Sequence, residues 1–320
     1  MGLYENLIAD LQERLSQIAQ QHIDVTFYAW LFWLWWPFIL VTVILPTLII
    51  VLLYVSASIV HIYKLRQYFR FRELLASDVD FRIKARTAVS WLWECHGWIW
   101  HGYEIVGFEN LPKNERALIV YYHGVIPVDY YYLSSRYCIK HKRTIWTIAA
   151  DFLFKSPGLR LLMEVVQATP GTVKQIADLL NNGEIVSVAP GGIREAQFSN
   201  EFYELVWNGH LGFAKAACAG RAPIIPVFTQ NIREAYRTAP FLRGLFRKIY
   251  EKTKLPLLPI YGGFPVKLRT YIGEPIPYDP SATPEEVAEK TADAIRHLIK
   301  QHQRLPGSIV SAMLDRMKPS

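Results

Sequence analysis

The pattern of apolar and polar positions divides the chain into four stretches. Over residues 3–22, apolar side chains recur at Leu7, Leu11, Leu15 and Ile18, the spacing of one helical face, so residues 1–24 are expected to form an amphipathic N-terminal helix. From Val25 to Tyr63 there is no Asp, Glu, Lys or Arg. As one helix this run would extend about 58 Å, against about 30 Å of membrane hydrocarbon. Pro37 and Pro46 each remove a backbone donor and crowd the preceding turn, which makes them natural break points. The run therefore predicts a transmembrane helical hairpin over 25–63, as two short spans or a re-entrant pair. A buried soluble hairpin would not require FYAWLFWLWWPFILV to be apolar on every face. Trp30, Trp33, Trp35 and Trp36 suit an interfacial aromatic belt at one end. The run is too long, starts too late and lacks the small-residue cleavage site of a removable signal peptide. Residues 64–100 are mixed in character and predict a helical connector.

From residue 101 the texture changes to short strands alternating with helices, which predicts a layered α/β domain over 101–320. YEIVGF, ALIVYY, RTIWTIA, EIVSVAP and APIIPVF read as strands, rich in β-branched and aromatic residues. They are continuous apolar runs, as expected of strands covered on both faces. VDYYYLSSRYC, KQIADLLNN and ELVWNGHLGFAKAACAG read as helices, the last ending at Gly220 as a left-handed cap. Thr283-Pro284-Glu285-Glu286 supplies an N-cap, a proline at the first helical position and a capping-box Glu for a C-terminal helix.

Charge adds an orientation. The net charge is +7. Lys64, Arg66, Arg70 and Arg72 follow the apolar run, whereas Glu5, Asp10, Glu13 and Asp24 precede it, so the positive-inside rule places the large C-terminal part in the cytosol. Arg243, Arg247, Lys248, Lys252 and Lys254 lie among Phe241, Leu242, Leu245, Phe246, Ile249 and Tyr250, the pattern of a basic amphipathic helix on a membrane surface; a solvated charged face is the plain alternative. No nucleic-acid recognition module occurs. Cys95, Cys138 and Cys218 are odd in number and widely spaced, which fits a reducing compartment better than a disulfide framework.

One short segment carries chemistry. In YYHGVIPVD an apolar strand delivers His123 at its end, Gly124 permits a sharp turn, and Asp129 follows near a helix N-terminus. Strand ends in open α/β sheets are where active sites assemble. A carboxylate holding one imidazole nitrogen makes the other a better base, and an imidazole with a pKa near ~6.5 can take a proton from a hydroxyl. Taken alone, a His and an Asp six apart also fit a capped helix beside a hydrogen-bonded His. Gly191 and Gly192 follow another strand, where glycine amides can approach an oxyanion or phosphate closely. Arg194 suits a phosphate of coenzyme A or of a lipid, and Glu195 is a second candidate partner for His123; a tight turn, a surface Arg and a structural ion pair are the bland alternatives. His96 and His101 beside Cys95 do not form a zinc-type spacing. No phosphate loop or Gly-x-Ser-x-Gly elbow is present.

The stretch EIVGFENLPKNERALIVYYHGVIPVD resembles the start of the catalytic region in the glycerophospholipid acyltransferase superfamily, where a similar strand and turn precede a strand ending in a His-x4-Asp motif. EIVSVAPGGIREA, GFAKAACAGRAPIIPVF and YIGEPI resemble later blocks of that family, in order, over roughly residues 101–300. PGGIREA also resembles the Gly-Gly-x-x-Glu-Ala segment of the diacylglycerol acyltransferase 2 branch. Three departures stand out, the first being Gly191 where the family's EIVSVAPGGIREA-like block carries a Glu. Five residues, not four, separate His123 from Asp129, and the block that usually holds a phosphate-reading Arg is QATPGTVKQ here, with Lys174 its only cation.

The resemblance implies a glycerolipid acyltransferase-type layered α/β domain and a membrane-bound enzyme of the endoplasmic reticulum facing the cytosol. It would move a fatty acyl group to a mono- or diacylglycerol hydroxyl. His123 would be the base and Asp129 its orienting partner. Gly124, Gly191, Gly192, Arg194 and Glu195 would serve substrate binding. Acyl-CoA is the donor this points to, an acyl group taken from a phospholipid being the open alternative, with no resident cofactor and no metal. The expected partners are the donor, the glycerolipid acceptor and the bilayer; a regulatory membrane protein stays open. The rival readings are a lysophospholipid acyltransferase and a non-catalytic membrane adaptor.

Overall fold

The apolar run folds as one continuous helical course. The structure, a computed structural model, describes residues 10, 12–14, 25–71, 81–241, 243–253, 255 and 257–318. Helix α1 (Val25–Ile39) passes through a π-helical turn (Leu40–Ile44) into α2 (Leu45–Phe71). Ile39 and Leu45, at the two junctions, keep right-handed helical dihedrals, so the reversal expected at Pro37 or Pro46 does not occur. The physical reason is the π turn. Leu45 N–H reaches back to the Leu40 carbonyl, and this wider turn relieves the crowding that a proline at position 46 brings to a regular α turn. A 41-residue segment, Tyr28–Tyr68, is apolar and long enough to cross a membrane. The amphipathic helix expected over 3–22 lies, apart from residues 10 and 12–14, outside the described residues.

The two halves of this course have different neighbours. Trp30, Trp33, Leu34 and Trp35 of α1 are exposed. In α2, Ile49, Ser56, Ala57 and Val60 are buried, packed within the same apolar core as Val89 and Trp93 of α3 (Phe81–His96). Trp93 Nε1 donates to Ser56 Oγ at 3.1 Å, closing that seam.

The domain is built on a seven-stranded sheet in the order β1-β9-β6-β2-β5-β3-β4. Its strands are β1 (Glu104–Val106), β2 (Ala117–Tyr121), β3 (Trp146–Ile148), β4 (Ala168–Thr169), β5 (Ile185–Val188), β6 (Ile224–Gln230) and β9 (Arg269–Ile272). β2 pairs in parallel with β5 on one side and β6 on the other, in the register Ile119 opposite Ser187 and Ile225; β6 and β9 are antiparallel. Every residue of β2 and β5 is buried, as continuous apolar strands between two helical layers require. The helices are α4 (Val128–His141), α5 (Asp151–Lys155), α6 (Arg160–Val165), α7 (Val173–Asn181), α8 (Gly192–Phe198), α9 (Gly212–Ala219), α10 (Ile232–Ala235), α11 (Arg243–Thr253), α12 (Pro284–His302) and α13 (Ile309–Met317). β7 (Tyr236–Thr238) and β8 (Ile260–Gly262) form a small separate ribbon around α11. Thr283 and Glu286 form the expected capping box at the start of α12.

One helix end differs from expectation. The helix before β6 covers only Gly212–Ala219, and Gly220 has φ −84°, so it is not a left-handed cap. Arg221 takes the positive φ of 47° instead. Gly220 is needed for space, because a Cβ there would lie 2.7 Å from Leu180 Cβ.

Candidate active site

Three adjacent parallel strands, β5, β2 and β6, end on the same edge of the sheet and deliver three segments to one place. β2 supplies His123, just past its last residue. Gly124 makes the sharp exit possible, since a Cβ there would fall 2.4 Å from Ile232 Cγ1. His123 Nδ1 lies 2.6 Å from the Gly124 carbonyl. A carbonyl can only accept, so the proton sits on Nδ1 and Nε2 keeps its lone pair. The ring of Tyr121 stacks beside the imidazole at 6.2 Å, and Tyr130 stacks on Tyr121 at 4.8 Å. Burial depresses the His123 pKa below its ordinary value, and the nearby Arg233 charge pushes the same way. The ring is therefore neutral at neutral pH.

Asp129 sits in the first turn of α4 and is 4% exposed. Burial raises its pKa to about 6, with the Thr229 hydroxyl pulling the other way. Its Oδ1 has no hydrogen-bond partner. Among the described residues no hydrogen bond joins it to His123. The Gly124 carbonyl occupies the position at Nδ1 that an orienting carboxylate would take, and the five-residue spacing gives the loop room to fold this way.

β5 leads into the Gly191–Glu195 turn. Glu195 is fully buried, and its carboxyl accepts from two backbone amides, His123 N at 2.9 Å and Val206 N at 3.0 Å. It thus grips the backbone of His123 and not its ring. Burial lifts the Glu195 pKa to about 7, against the pull of the two amides. Gly191 is obligatory here, because a Cβ would meet Glu195 Cβ at 2.4 Å. Gly192 has φ +48° and open space around it, and its amide donates to the Ala189 carbonyl at 3.0 Å, so that amide is already engaged. Arg194, half-buried, faces Glu251 of α11 at 3.9 Å.

The third segment was not singled out from sequence. β6 ends at Asn231 in a left-handed turn, followed by Arg233, which is 3% exposed. Its guanidinium donates to the Ser199 carbonyl at 2.6 Å and the Glu195 carbonyl at 3.3 Å, clamping both ends of the turn that holds Glu195. Tyr122 Oη and Ser199 Oγ, 2.6 Å apart, tie β2 to the same point. NIREA reads as an ordinary helix start, and nothing in it marks this role.

An apolar cleft opens beside the site. Leu53 of α2, Val89 and Trp93 of α3, Tyr130 and Tyr131 of α4, and Met163 of α6 line a cavity of about 110 Å³. Tyr130 is shared between this cleft and the ring stack that ends at His123. Lys174, the one cation of QATPGTVKQ, is exposed on α7. His96 and His101 are accounted for by packing: His96 Nδ1 meets Tyr132 Oη at 2.7 Å, and His101 Nδ1 meets the Val266 carbonyl at 3.0 Å.

The layered sheet with a histidine at its central strand end is compatible with an acyltransferase domain, and the family described as Acyltransferase matches residues 102–230. The chain belongs to this acyltransferase family. It is 46% identical over 313 residues to the human protein named "DGAT1/2-independent enzyme synthesizing storage lipids", covering 98% of this chain and 94% of that one. The protein of the same name from Bos taurus is 46% identical over 292 residues, covering 91% of this chain and 85% of that one. The crystal structure of the 1-acyl-sn-glycerophosphate (LPA) acyltransferase PlsC from Thermotoga maritima superposes with a TM-score of 0.51 at 19% identity, over 80% of this chain and 96% of that one, a likeness of fold.

Proposed function

We propose that the protein acylates a neutral glycerolipid, a mono- or diacylglycerol, from an acyl-CoA donor at a membrane surface. The observation that carries the reading is His123: a half-buried, neutral imidazole with Nδ1 anchored on a carbonyl and Nε2 left as the base. The acceptor hydroxyl gives its proton to Nε2 as its oxygen attacks the thioester carbonyl. The imidazolium then returns the proton to the departing thiolate. No covalent intermediate is needed, because holding both reactants beside a base supplies most of what the reaction requires.

Asp129 is the counter-charge for the imidazolium as it forms, with one oxygen unpartnered. Glu195 and Arg233 fix the backbone from which His123 projects. Arg194 serves the phosphate end of the donor. The apolar cleft, with Leu53 of the apolar helix in its wall, takes an acyl chain. What supports the neutral acceptor is the QATPGTVKQ block: where a phosphomonoester would need a fixed cation, that block offers only exposed Lys174. The apolar helix within Tyr28–Tyr68 is the anchor, and the basic residues Lys64 and Arg66 at its C-terminal end favour a cytosolic catalytic domain, on a membrane we take to be the endoplasmic reticulum.

Purified protein supplied with acyl-CoA and either diacylglycerol or lysophosphatidic acid tests the assignment. Faster acylation of diacylglycerol is expected. Faster acylation of lysophosphatidic acid would overturn the acceptor assignment and leave the base intact.

A further inference from the structure

The sequence marks α11 as basic and amphipathic, and the structure shows what each face does. Phe246, Ile249 and Tyr250 turn inward and are half-buried, with Tyr250 against Phe198 of α8 at 5.8 Å. The outward stripe consists of Leu245, Lys248 and Lys252, spaced at i, i+3 and i+7, with Phe241 four residues before it. Phe241, Leu245, Leu255 and Leu257 are all exposed. Large apolar side chains interleaved with free-standing lysines, and held outward, are the composition of a helix lying in a bilayer interface. A protein-facing helix would more often keep its charges off the contact centre.

Position supports the same occupant. The strand after α11, β8, leads to Gly263, whose α-carbon sits so close to the apolar helix that a Cβ would lie 2.6 Å from Leu45 Cβ. Trp100 Nε1 donates to the Gly263 carbonyl at 2.9 Å, fixing that junction. Phe241–Gly263 therefore returns to the apolar helix at the π turn, where its exposed half begins. Glu251 on α11 faces Arg194 of the Gly191–Glu195 turn, so the helix also adjoins the candidate site.

From this arrangement we infer that α11 is a second membrane contact, lying in the plane of the bilayer on anionic lipid headgroups and holding the active-site edge against the surface. The inference rests on the reading of Tyr28–Tyr68 as the anchor. Phe241, Leu245, Leu255 and Leu257 enter the headgroup boundary, and Lys248 and Lys252 take the lipid phosphates and carboxylates.

The test uses full-length protein reconstituted in vesicles, with Cys95, Cys138 and Cys218 changed to Ser. An environment-sensitive fluorophore is placed in turn at Leu245→Cys, at Val43→Cys on the anchor, and at Glu289→Cys on exposed α12. Brominated lipid in phosphatidylcholine vesicles, with or without phosphatidylserine, reports contact by quenching. Quenching is expected at 43 and 245 and not at 289, and at 245 it should grow with phosphatidylserine. K248Q/K252Q should remove that growth, since two lysines near an anionic surface are worth roughly thirty-fold in the docking equilibrium. Quenching at 43 with none at 245 overturns the inference and leaves the anchor standing. No quenching at 43 overturns both. Quenching at 245 that ignores phosphatidylserine overturns the anionic-lipid contact.

Discussion

At the residue scale, the site reduces to one side chain and what holds it. His123→Ala should lower the maximal turnover by roughly a hundred- to ten-thousand-fold, the usual contribution of a positioned base, at unchanged thermal midpoint, measured on purified protein. Asp129→Asn should cost less than His123→Ala, because the Gly124 carbonyl and not Asp129 fixes the ring tautomer. The base works when neutral, so activity rises with pH through the pKa of His123, and burial places that acidic limb below the ordinary 6.5. A pH profile of kcat/KM checks the sign. Glu195 makes a separate prediction. Its pKa is raised to about 7 in the fold, so the folded state holds its proton where the unfolded chain has lost it. Its contribution is full below about pH 4.5 and declines as pH rises through 7; thermal midpoints recorded across that window should fall, and Glu195→Leu should flatten the fall. Gly191→Ala should destabilise by about 1–3 kcal/mol through overpacking against Glu195. Gly192→Ala meets open space and should cost about 1 kcal/mol of backbone strain.

At the element scale, much was legible. The strands through ALIVYY, EIVSVAP and APIIPVF were readable because burial on both faces makes them continuously apolar, and the cap of α12 because its residues act locally. His123 was legible because glycine and proline punctuate a strand end. The partners of His123 were less so. That Glu195 would bind its backbone, and Arg233 would clamp the Glu195 turn, depends on three strands lying side by side, and pairing order is not written in any one segment. The hairpin expectation failed for a related reason: a proline permits a break, and whether a π turn absorbs it is decided by neighbours. The seam between α2 and α3 can be tested alone. Ser56→Ala leaves Trp93 Nε1 buried without an acceptor and should cost about 1–3 kcal/mol, read from thermal unfolding in detergent.

At the scale of the whole molecule, the apolar helix that we propose as the anchor is also part of the domain's core. Removing residues 1–44 should leave a folded, detergent-soluble domain. Removing residues 1–71 also strips Ile49, Ala57 and Val60 from the core, each aliphatic burial being worth about 1–3 kcal/mol against a typical total of about 5–15 kcal/mol. The longer deletion should therefore aggregate, and size-exclusion chromatography of the two truncations distinguishes the cases. The family fold was legible from ordered blocks, whereas the way the helix joins the domain was not, since Ser56 and Trp93 lie 37 positions apart and only the folded chain brings them together.

The seam between α2 and α3 bears on how substrate is found. A catalytic head on a flexible stalk explores a hemisphere of cytosol and meets the bilayer intermittently. Here α2 is part of the head, so with α1 upright in a bilayer the domain has no wrist. His123 is then carried at one fixed altitude, and the search for an acceptor becomes a two-dimensional one, in which the lipid drifts sideways to an enzyme that cannot look up.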